Sequence, residues 1–91
     1  DYPVVPFAEV TSRYHINMTV NDRVGVLADL TARFAKAGIS LSAVRQEESG
    51  DEAHLIVVTH GAREKDLDSI VTQLSGHDDV LAVNSVIRLD A

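Results

Sequence analysis

Tyr14-His15-Ile16-Asn17-Met18-Thr19-Val20, running straight into Asn21-Asp22-Arg23-Val24-Gly25-Val26-Leu27, is the stretch whose reading decides the fold. The first seven residues alternate. Tyr14, Ile16, Met18 and Val20 share one side and His15, Asn17 and Thr19 the other, which is the period of a half-buried strand. After the next few residues the period changes. Val26, Leu27, Leu30, Phe34 and Ala37 fall at helical spacing, and Gly38 stands where a helix ends in a C′ glycine. A strand, a polar corner and an amphipathic helix therefore follow one another without a gap.

Working outward, strand character returns from Ile39 to Glu47, and Ser49-Gly50-Asp51 reads as a hairpin turn. Ala53 to His60 is strongly β. Leu67, Ile70, Val71 and Leu74 mark a second helix closed by Gly76, and Val80 to Leu89 is a last strand. The order is β-α-β-β-α-β, two similar halves with Gly38 and Gly76 in equivalent places. Right-handed crossovers insert the first strand of the second half between the two strands of the first. The expected architecture is an α+β, ferredoxin-like βαββαβ sandwich: a four-stranded antiparallel sheet with two helices on one face. Its edges are Ile39–Glu47 and Val80–Leu89. Residues 1–11, with Pro3 and Pro6 and no period, read as a lead-in from a preceding domain, and residues 12–91 as the domain itself.

With both helices on one face, a monomer should leave the other face polar. Leu55 and Val57 can face the helices, but Ile56 and Val58 then point away. Val80, Ala82 and Val86 alternate with Leu81, Val83, Ile87 and Leu89, so the last strand is apolar on both sides. The expectation is a covered face or an extended sheet, most simply through a second copy.

Composition narrows the function. The 91 residues suffice for one modest core. No cysteine is present, which removes disulfides and thiolate metal sites and fits a cytoplasmic location. No apolar run reaches membrane-spanning length, and the start has no basic-then-apolar signal pattern. The net charge of −6, with only eight scattered Lys and Arg, argues against nucleic acid. Catalysis is not expected: the serines lack a nucleophile elbow and there is no Gly-rich phosphate loop. His54 and His60 share parity on one strand with His15 on a neighbour. Six residues of extended chain separate the first two by roughly 20 Å, so they read as surface or interface histidines and no metal site is expected.

The corner is the candidate site. The first N–H groups of a helix lack internal partners and sit at the positive end of its dipole, a setting for a small anion. Gly25 allows either close approach of a ligand or tight packing. Asp22 reads as the helix N-cap or as a carboxylate facing the ammonium of a bound amino acid, and Asn21 as a turn residue or a polar ligand group. Val26 and Leu27 open the helix. Ser40, Ser42 and Gln46 share parity on the second strand, where the simplest reading is a solvated face.

Asp22-Arg23-Val24-Gly25-Val26-Leu27 resembles the signature loop of the ACT domain family, usually Asp-x-Pro-Gly-Val-Leu, with valine in place of proline. The resemblance implies a βαββαβ regulatory module that binds an amino acid. Val24 lacks the φ restraint that proline gives a helix start. Across nearly the whole chain, Pro3-Val4-Val5-Pro6, Val44-Arg45-Gln46-Glu47-Glu48, Leu55-Ile56-Val57-Val58-Thr59-His60 and Asn84-Ser85-Val86-Ile87-Arg88-Leu89 resemble the C-terminal end of bacterial homoserine dehydrogenases. That resemblance implies an NAD(P)-dependent parent, interconverting aspartate 4-semialdehyde and homoserine, whose nucleotide-binding and catalytic domains precede this segment. The segment itself then carries no cofactor. The resemblance implies that it senses threonine, with Asn21, Asp22, Gly25, Val26 and Leu27 as the expected site. In many ACT domains the pocket lies between two copies, so Ser40, Ser42 or Gln46 would complete it across a homodimer. The alternatives are a ligand-free assembly module and the ACT domain of another amino-acid enzyme.

Overall fold

A computed structural model of the chain describes residues 11–89. Its elements are β1 (Thr11–Ser12), β2 (Tyr14–Asn21), α1 (Val26–Lys36), β3 (Leu41–Ser49), β4 (Glu52–Thr59), β5 (Ala62–Arg63), α2 (Glu64–Ser75) and β6 (Val80–Arg88). The main sheet has the order β3-β4-β2-β6 and every pairing in it is antiparallel. This is the expected sandwich, with β3 and β6 at its edges. A small second ribbon, β1 with β5, has no counterpart in the sequence pattern; Thr11 pairs with Arg63 and Ser12 with Ala62. Thr11, the last residue of the expected lead-in, is thus paired, the first of the described residues. Residues 1–10 of that lead-in lie outside the described residues.

The period read from β2 is the burial pattern observed: Tyr14, Ile16, Met18 and Val20 are buried, and the residues between them half-buried. Val26, Leu30 and Phe34 of α1 and Leu67, Ile70 and Leu74 of α2 close over them, with Ala53, Leu55 and Val57 of β4. Each large aliphatic side chain buried in this way favours the fold by about 1.5–3 kcal/mol. Thr59 is fully buried as well, and its Oγ1 accepts the Tyr14 N–H at 3.1 Å, which ties the end of β4 to the start of β2.

Two bulges in β6 overturn the expected alternation. Leu81 and Asn84 are extra residues in the register with β2. Val83 therefore pairs with Met18 and faces the helices, whereas Ala82 pairs with Thr19 and faces the open side. A bulge re-aims every side chain beyond it, which a strict period of two misses. A third irregularity sits at Ser42, between Leu41 and Ala43, so Ser40, Ser42 and Gln46 do not share one face. Gln46 pairs with the buried Leu55 and projects to the helix side of the sheet. The two helix-ending glycines also differ: Gly38 has φ 78°, the left-handed C′ conformation, but Gly76 has φ −94°.

Candidate functional site

The corner between β2 and α1 is a type II turn. The Val26 N–H donates to the Arg23 carbonyl at 3.2 Å, and Gly25 in third position has φ 89° and ψ −11°. No residue but glycine has positive φ among those described, so Val24 occupies the second position with the ordinary sign. The same Gly25 is the N-cap of α1, and its carbonyl accepts the Asp29 N–H at 2.9 Å. A Cβ added to Gly25 would meet nothing within 4 Å. The glycine is required by its backbone conformation and not by tight packing.

This geometry corrects the capping role considered for Asp22. No side chain caps α1. The Asp22 N–H instead donates to the Asp51 carbonyl at 2.9 Å, fastening the corner to the β3–β4 hairpin. Its carboxylate is exposed, and Oδ1 accepts a hydrogen bond from Gln46 Nε2 at 3.3 Å. The anion-attracting end of α1 is left open, with a carboxylate and an amide beside it. Val24 belongs to the turn rather than to the helix start, and it is fully exposed.

Asn21, Asp22, Gly25, Val26, Leu27 and Gln46 line one cavity of about 70 Å³, with Val20, Arg23 and Leu55 completing its wall. Six of the eight expected residues are thereby brought together within one chain. Ser40 and Ser42 are not among them. Ser40 borders a separate groove beside Gly38, Ile39 and Leu41, and its carbonyl accepts the His60 N–H at 2.9 Å. Ser42 Oγ donates to the Val58 carbonyl at 3.2 Å. The corner cavity is small against the roughly 300–1,000 Å³ of typical ligand pockets.

The corner is held from behind by a residue the sequence did not single out. Asp79, buried in the α2–β6 loop, accepts hydrogen bonds from Arg23 Nε at 2.8 Å and Nη2 at 2.6 Å, and from Asn21 Nδ2 at 3.3 Å. Its carbonyl accepts the Asn21 N–H at 2.9 Å. The Arg23 hydrogen bonds above all, then that of Asn21 and the positive charge of Arg23, hold the Asp79 carboxyl below its ordinary range against the opposing effect of burial. The Asp79 N–H donates to His77 Nδ1 at 2.9 Å, so that nitrogen is bare and Nε2 carries the hydrogen, 2.7 Å from Asp29 Oδ2. The His77 hydrogen bond is the main reason the Asp29 carboxyl is also lowered, with Arg33 contributing. Asp79 lies 56 residues from Arg23, and no spacing in the sequence links the two.

Among the described residues no group of three or more His, Asp or Glu is placed to hold a metal ion, and no helix is long and apolar enough to cross a membrane.

The ACT domain family model matches residues 14–78. The chain is 54% identical over 88 residues to homoserine dehydrogenase of Corynebacterium glutamicum, covering 97% of this chain and 20% of that protein. It is 42% identical over 94 residues to homoserine dehydrogenase of Mycobacterium tuberculosis, again covering 97% of this chain and 21% of that one. The crystal structure of a homoserine dehydrogenase from Thiobacillus denitrificans superposes with a TM-score of 0.80 at 30% identity, over 97% of this chain and 20% of that chain. The C-terminal domain of the MgtC protein of Mycobacterium tuberculosis, at 22% identity and a TM-score of 0.69, shares the fold. The chain thus spans about a fifth of the length of the homoserine dehydrogenases it matches. With most of its length under the family model and the βαββαβ order complete, it belongs to the ACT domain family.

Proposed function

We propose that this chain is the amino-acid-sensing, regulatory part of a homoserine dehydrogenase, and that its effector is threonine. The observation that carries the reading is the meeting of Asp22 and Gln46 at the uncapped N-terminus of α1. An α-amino acid needs donors for its carboxylate and an acceptor for its ammonium. The amides at the start of α1 supply the first, and the exposed Asp22 carboxylate supplies the second. Gln46 offers a polar contact for a hydroxyl. The NAD(P) chemistry belongs to the remainder of such an enzyme.

The β3 edge supports assembly of a homodimer that enlarges the site. In β3, Ala43, Arg45 and Glu47 lie on the open face, and Arg45 Nη2 stands 3.0 Å from Glu47 Oε1. If two β3 strands pair antiparallel about a two-fold at Gln46, Arg45 falls opposite the partner's Glu47 and Glu47 opposite the partner's Arg45. Opposite charges directly across a sheet favour pairing. The same register carries Ser42 to the partner's Gly50, beside the hairpin that holds the partner's corner. A ligand at one corner is then covered by the other copy.

Calorimetric titration of threonine into this 91-residue chain tests the reading. The expected result is saturable binding of one threonine per chain, with other aliphatic amino acids weaker. Self-association with no heat from threonine would favour the assembly-module reading instead.

A further inference from the structure

The turn that builds the corner lacks the residue that would fix it. Position two of a type II turn is where proline presets φ. Val24 sits there, is fully exposed and lies outside the cavity lining, so neither a ring nor packing restrains it. Yet the turn carries the amides on which the proposed site depends. Beyond the Asp22–Asp51 backbone bond, the side-chain restraint on it comes from far along the chain. Asp79 grips the residue before Val24, Arg23, with two bonds, and grips Asn21 with two more. The grip is one-sided: the Arg23 side chain is 66% exposed, whereas that of Asp79 is 10% exposed. Asp79 is in turn fixed by His77, and His77 by Asp29 one turn into α1. The hydrogen bonds form a closed ring from the corner through the α2–β6 loop and back to the helix that the corner opens.

We infer that Asp79 is a positioning residue for the effector site, holding the Asn21–Gly25 corner in its ligand-ready shape in place of a backbone restraint at position 24. The inference rests on the corner being the amino-acid site. It adds that affinity there is set by a residue outside the cavity, in the loop that leads into β6. A ligand that meets a preformed corner does not spend binding energy ordering it. Loss of the Asp79 carboxylate makes each binding event order the turn first.

The test is a double-mutant cycle between Asp79→Ala and Val24→Pro in the 91-residue chain, read by threonine titration and by amide hydrogen exchange. Asp79→Ala is expected to weaken threonine binding about tenfold, the low end of what charge-assisted hydrogen bonds are worth, and to speed exchange at Val26 and Asp29, whose N–H groups are bonded across the turn. Val24→Pro alone is expected to leave affinity unchanged, because the turn is already formed. In the Asp79→Ala background it should recover most of the lost affinity and slow the same amides. Gains from Val24→Pro of equal size in both backgrounds would mean general stabilisation and would overturn the inference, as would Asp79→Ala with wild-type affinity and exchange. Should Asp79→Ala fail to fold, Arg23→Gln removes the grip from its exposed side and takes its place in the cycle. A wild-type chain that binds no threonine would defeat the effector reading alone. The exchange cycle then decides the positioning role by itself: rescue by Val24→Pro upholds it, and no rescue overturns it.

Discussion

Gly25 and Asp22 show how much of the corner a single residue decides. Gly25 holds φ 89° with open space around it, so a methyl group clashes with nothing and the cost of Gly25→Ala is conformational. That cost is about 1–2 kcal/mol for an L-residue in the left-handed region, and thermal or urea unfolding measures it directly. Asp22 makes no cap, so Asp22→Ala should leave stability within about 0.5 kcal/mol of wild type. The same variant should weaken threonine by roughly 1.5–3 kcal/mol, read by titration, if its carboxylate is the proposed partner of the ammonium. A melting temperature that falls while affinity holds would return Asp22 to a structural role. The corner's place in the chain was legible from its neighbours, since a polar stretch between two periods is a local pattern, but not that Asp22 leaves the helix uncapped. Arg23 and Asp79 were not legible either. Their contact depends on how the α2–β6 loop closes over β2, which no local spacing records.

Element order and sheet edges were readable because hydrophobic period and right-handed crossover leave one arrangement. The bulges were not, because each is defined only by the partner strand it slips against. That is why Val83 and Ala82 changed faces, and why Gln46 came to the helix side beside Asp22. The contacts between the α2–β6 loop and α1 also carry the acid sensitivity expected of the fold. Asp79 and Asp29 titrate below their ordinary 3.8 when folded. The folded state then binds fewer protons than the unfolded one. Their contribution is complete above the unfolded value and is lost as pH falls through it and the lower folded values. Urea unfolding should show stability declining below about pH 4, and Asp79→Asn should flatten part of that decline.

At the scale of the whole molecule the two sheet edges differ in chemistry. β3 is a charged strand, exposed apart from its half-buried first residue, Leu41. β6 and the residue after it expose Leu81, Val86, Ile87 and Leu89. On the open face, Ile56 and Val58 are half-buried, and His15 has Nδ1 buried with no hydrogen-bond partner. Sedimentation should find the chain self-associated at high micromolar concentration. Arg45→Glu, which sets like charges across the proposed two-fold, should shift it toward monomer. An unchanged dimer in that variant would move the interface away from β3.

The central claim is that a free amino acid is read at the β2–α1 corner. Amide chemical-shift mapping of the isotope-labelled chain during a threonine titration tests it most directly. The account predicts saturable shifts largest at Gly25, Val26 and Leu27, with the Gln46 side-chain amide moving on the same curve. Shifts centred anywhere else, or none at saturating threonine, would contradict it.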